Sequence, residues 1–117
     1  MNKLALIIYS TLSGSGESAV YRAMMFAQEL QRAGDDAVLL FDGAGTQSLA
    51  ELLRPEHDLH PLFEKVRPLV RGACRACAKE YGVLGDITAA DVPLLADDRG
   101  HASLRKLLLE DRQLVTF

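Results

Sequence analysis

Cys74 and Cys77 are the only cysteines in the chain, and both lie in 70-VRGACRACAKEYGVLGD-86, three positions apart. On a helix that spacing puts two side chains on one face, a turn apart. A thiolate is a nucleophile and a metal ligand, and a second thiol within reach can resolve a disulfide or persulfide formed on the first. Arg71 and Arg75 flank Cys74. If Cys74 ends a strand and a helix starts beside it, the helix N-terminus and both arginines favour the thiolate and bring its pKa below the free value of about 8.5. The opposing interpretation is a pair of small buried hydrophobes, but RGACRACAK is polar for a core.

Other groups could carry chemistry. In 10-STLSGSGES-18, Ser13, Gly14, Ser15 and Gly16 form a candidate ligand loop: glycines allow close approach to an anion, and a helix start follows. No Gly-Lys-Ser/Thr is present, nor a full GxGxxG, so a tight strand-to-helix turn with Ser or Glu capping the helix is the simpler account. His57 and His60 with the cysteines spell HxxH…CxxC. A zinc site would need all four to converge, which the intervening helix makes awkward, so neither metal nor cofactor is expected. Asp42 caps a turn or contacts a ligand, and His101 is expected exposed near the start of the last helix.

The elements that must position these groups follow from periodicity. Residues 4–9 (LALIIY) and 37–41 (AVLLF) are continuous apolar runs, as in parallel strands covered on both faces. Weaker strand signals lie at 69–73 and 92–95, the latter interrupted by Pro93, and 113–117 closes the chain. Helical patterns fit 17–33, stopped by Gly34, then 46–54, 62–67, 74–81 stopped by Gly82, and 101–109 with Leu104, Leu107 and Leu108 inward. Residues 55–61 (PEHDLHP) are breaker-rich and expected as an exposed loop, with 55–63 a candidate partner contact. Strands alternating with helices predict a three-layer α/β/α fold with a mostly parallel sheet of about five strands. Sites in such sheets form at the carboxyl ends of strands, which selects the loops after 9, after 41, and at Cys74.

The 117 residues allow one domain. The net charge of −3 and the absence of Trp argue against nucleic-acid binding. No run approaches the ~20 apolar residues of a membrane span, and 4–9 is short for a signal sequence. A cytoplasmic location is expected, where a close cysteine pair is reactive or metal-binding more often than a staple.

ACRACAKEYGV resembles the cysteine segment of the DsrE/DsrF-like family, which includes TusD-like sulfur-relay subunits. LALIIYS, AVYRAMMFAQEL, LLFDGAG and DRQLVTF are similar to its opening strand, first helix, second strand with glycine turn, and closing strand. The TusD-like pattern places its sulfur-accepting cysteine eight residues before a helix-ending glycine, as Cys74 stands before Gly82. Cys77 resembles the branch with Cys-Gly-x-Cys-type segments, although Arg75 occupies the glycine position. The resemblance implies a persulfide on Cys74 with Cys77 as resolving thiol, sulfur donor and acceptor proteins as partners, and a homo-oligomer, trimeric or hexameric. A phosphate-ligand-binding module and a non-catalytic accessory subunit remain the alternatives.

Overall fold

The computed structural model describes residues 1–117. Its elements run β1 (Lys3–Ile8), α1 (Gly16–Arg32), β2 (Asp36–Phe41), α2 (Gly45–Leu52), α3 (His60–Val66), a 3-10 turn (Arg67–Leu69), β3 (Val70–Cys74), α4 (Arg75–Glu80), α5 (Leu84–Ala89), β4 (Leu94–Leu95), α6 (Leu104–Leu109) and β5 (Gln113–Thr116). The five strands form one sheet in the order β4-β3-β2-β1-β5, and every pairing is parallel. The fold is the expected three-layer α/β/α.

The apolar runs of β1 and β2 follow from coverage on both faces. Strand alternation sends Leu4, Leu6 and Ile8 to one face, with α1, α2 and α3, and Ala5 and Ile7 to the other. The first cluster has 19 buried residues and the second, beneath α6, only 6, so one face is thickly covered and the other thinly. β3 divides in the same way: Ala73 joins the large cluster and Cys74 the small one.

Several boundaries differ from the sequence-based expectation. Helix α3 starts at His60, ahead of Pro61, because proline is tolerated in a first helical turn. Phe63 is fully buried and packs edge-to-face on Phe41, with ring centroids 6.3 Å apart, so it is unavailable to a partner. Helix α5, anchored by the buried Ile87, was not foreseen. Helix α6 begins only after Ser103, whose hydroxyl accepts from the Lys106 N–H at 3.2 Å, and Leu108 on it is 56% exposed rather than inward. Ser15 precedes α1 without a side-chain capping bond.

Candidate functional site

Parallel register assembles the site. Ile8 pairs with Phe41, Phe41 with Ala73, and Cys74 with Leu95. One residue further, Tyr9, Asp42, Cys74 and Leu95 form a row across the carboxyl edge of four adjacent strands, each about 4.8 Å from the next. Two glycines keep this edge tight. Gly43 has φ +54, and a Cβ on Gly45 would collide with the Ile8 carbonyl.

Cys74 is fully buried, holds an extended conformation (φ −62°, ψ 119°) and immediately precedes α4. Cys77, one turn along, is half-buried. Both sulfurs meet the same imidazole: His101 Nδ1 lies 3.3 Å from Cys74 Sγ and 3.7 Å from Cys77 Sγ. The Cys77 thiol donates to Asp42 Oδ1 at 3.5 Å, and the Gly43 N–H donates to that oxygen at 2.9 Å. The ligating atoms of Cys74, Cys77 and His101 all lie within 4.8 Å of one another.

His101 is exposed but its loop is fastened. Asp98 and His101 exchange backbone hydrogen bonds at 2.8 Å, and the Ala76 N–H of α4 donates to the Gly100 carbonyl at 2.9 Å. Arg99 (φ 53°) and Gly100 (φ 86°) are both left-handed, which turns the chain back toward α4. An open cleft of about 430 Å³, lined by Asp42, Asp98, His101 and Arg105 among others, borders the site.

The electrostatics differ from the expected cationic setting. Burial and then the adjacent Cys74 thiol push the Cys77 thiol up to about 12; the Gly43 N–H opposes them, and the Asp42 carboxylate adds a smaller push upward. Burial and Asp42 likewise raise the Tyr9 phenol to about 12. Arg71 lies three strand residues before Cys74, about 10 Å along β3. Its guanidinium makes a two-pronged pair with Glu110 at 2.9 and 3.0 Å. Arg75 is exposed and forms no ion pair. The Cys74 side chain makes no capping hydrogen bond to α4.

The remaining candidates lie elsewhere. Ser13 bonds Thr11 side chain to side chain at 2.9 Å, and a cleft of about 340 Å³ beside it is lined by Gln47, Glu51 and Arg54. No hydrogen bond joins Ser13, Gly14, Ser15 or Gly16 to the thiols, and a Cβ on Gly16 would collide with the Thr11 carbonyl, so the loop is built as a close turn. His57 accepts from the Leu59 N–H and His60 bonds the Leu52 carbonyl. His101, not either of them, joins the cysteines. Asp42 was legible as a strand-end residue; His101 was legible only as an exposed residue near the last helix, with nothing in the sequence to tie it to the cysteines.

No family model matches the chain. The uncharacterized protein MJ0733 of Methanocaldococcus jannaschii is 31% identical over 108 residues, covering 91% of this chain and 88% of that protein. The chain belongs to the MJ0733 family. Two solved structures share the fold of this MJ0733-family chain. One is BT1422 of Bacteroides thetaiotaomicron, a conserved protein of unknown function (15% identity, TM-score 0.70, 98% of this chain and 95% of that one). The other is the YchN protein of E. coli (16% identity, TM-score 0.65, the full length of both). No helix is long and apolar enough to cross a membrane.

Proposed function

We propose that the protein is a sulfur carrier of DsrE/DsrF-like type, passing sulfane sulfur through a persulfide at the cysteine pair. The observation that carries this is two free thiols sharing one imidazole nitrogen at the carboxyl edge of the sheet. Burial favours the reverse of the order expected from the resemblance: Cys77 receives the sulfur and the fully buried Cys74 resolves it. The Cys77 sulfur attacks the outer sulfur of a donor persulfide while His101 takes the Cys77 proton. The donor S–S bond breaks, a Cys77 persulfide forms, and the donor leaves as a thiolate that recovers the proton. An acceptor thiolate removes the outer sulfur by the same displacement. Without an acceptor, Cys74 attacks the inner sulfur, expels hydrosulfide and closes a Cys74–Cys77 disulfide.

A trimer or hexamer is part of the same proposal. It is supported by the thin cover of one sheet face and by Leu108 and Leu109 of α6, 56% and 65% exposed. A reducing cytoplasm suits free thiols.

The test is mass spectrometry of chelator-treated, reduced protein after incubation with glutathione persulfide. Addition of one sulfur atom to the Cys77 peptide is expected, kept in Cys74→Ser and lost in Cys77→Ser. No adduct on native protein, with adducts on urea-unfolded protein, would sink the proposal.

A further inference from the structure

We infer that Cys74, Cys77 and His101 form a zinc site, with the fourth position open beside Asp42. Two thiolates and an imidazole are a soft, nitrogen-containing set that suits Zn²⁺. Tetrahedral zinc, with Zn–S of about 2.3 Å and Zn–N of about 2.1 Å, sets S···N edges of about 3.6 Å and an S···S edge of about 3.8 Å. Here the S···N separations are 3.3 and 3.7 Å, and all three ligating atoms lie within 4.8 Å of one another. The two S···N edges are thus within a few tenths of an ångström of the tetrahedral value, and the S···S edge, at most 4.8 Å, would close to about 3.8 Å around the ion.

The frame is built before any ion arrives. Backbone bonds clip the His101 turn to itself and to α4, and the left-handed Arg99 is a cost the chain accepts to present that imidazole. Asp42 touches Cys77 at 3.5 Å and lies outside the mutually close triad, which suits it to hold a water or an incoming ligand on the metal. The cleft of about 430 Å³ lined by Asp42 and His101 gives that position access to solvent. Three protein ligands with one open position is the pattern of a zinc ion that binds or activates a ligand, not of a closed structural site.

Binding deprotonates both thiols and releases two protons to solvent: one Zn²⁺ plus two thiols and a neutral imidazole give an uncharged centre. The metal and a persulfide are alternative occupants of the same sulfurs, so zinc would hold the thiols unreactive until removed. This inference does not depend on sulfur transfer; the glutathione persulfide experiment on stripped protein tests that separately.

The experiment is Co²⁺ titration of reduced, chelator-stripped protein, followed by zinc competition. Expected are one cobalt per chain, thiolate-to-cobalt charge-transfer absorption, intense tetrahedral d–d bands, and displacement by equimolar zinc. Losing an outer-shell partner of a metal site typically costs about 10–100-fold in affinity, so His101→Ala and Cys77→Ser should each weaken zinc more than about 100-fold. His57→Ala should bind as the wild type does. His101 is exposed, so its variant keeps the fold, checked by circular dichroism. No charge-transfer band from folded, reduced protein, or a His101→Ala variant that binds zinc like the wild type, would overturn the inference.

Discussion

The character of the thiol pair is set first by burial and by each thiol's nearness to the other, with one carboxylate adding a smaller effect. Arg71 and Arg75 suggested a cationic pocket, but the charge beside Cys77 is that of Asp42. Burial is the largest cause of the raised Cys77 pKa and Asp42 a smaller one, so the two can be separated by mutation. A unit charge about 4 Å away in water is worth about 1 kcal/mol, or roughly fivefold in an equilibrium. Asp42→Asn should therefore speed iodoacetamide alkylation of Cys77 in metal-free protein about fivefold at pH 8. An unchanged rate would remove Asp42 from the account. Tyr9 senses the same carboxylate, its phenol raised to about 12 by burial and then Asp42.

Among the elements, the turn from β2 into α2 is the tightest part of the site. Gly45 sits against the Ile8 carbonyl so closely that no Cβ fits. Gly45→Ala must push α2 from β1 and carry Asp42 with it. Overpacking of this kind costs about 1–3 kcal/mol, which lowers Tm by about 5 °C or more in a chain of this size. Differential scanning calorimetry reads this directly, and a Tm within 1 °C of wild type would show that the backbone relaxes freely. Helix α6 presents the opposite situation. Leu107 is buried and Leu104 half-buried against the same small cluster, while Leu108 and Leu109 are open, so two leucines anchor it. Leu107→Ala should cost about 2–3 kcal/mol and loosen the His101 turn that α6 follows.

Across the whole molecule, the thiols and the buried arginine network occupy opposite ends of the sheet. The thiols lie at the carboxyl edge. Toward the amino edge, Arg112, only 7% exposed, pairs with Asp36 at 2.9 Å and Glu110 at 2.8 Å and donates to the Leu4 and Asp36 carbonyls. Arg71 and then Arg112 hold the Glu110 carboxyl down at about 2, from an ordinary 4.5. A carboxyl lowered on folding stabilises the protein above its unfolded pKa, and that contribution is lost as pH falls through the folded value. Stability should thus decline between pH about 4.5 and 2, and Glu110→Gln should flatten that part of a Tm-versus-pH curve while lowering Tm at pH 7. Glu110 is 31% exposed, so solvent screens the effect and the shift should be modest. Arg112→Ala, which removes several hydrogen bonds to charged and backbone acceptors, should cost about 2–3 kcal/mol.

The order of strands and helices was legible in the sequence because burial on both faces leaves continuous apolar runs and α1 a clear amphipathic stripe. The position of Cys74 at a strand end, with Cys77 one helical turn along, was legible too, since strand ends in a parallel sheet face one edge. Short elements were not: α5 forms because Ile87 is buried, and burial by distant residues leaves no local period. The partners of the thiols were decided by tertiary structure alone. Asp42 reaches Cys77 through strand register, and His101 arrives from 24 residues further along through a turn fastened to α4. Local sequence sets which way a side chain faces along a strand or helix. Which distant group it meets depends on the packing of the whole chain.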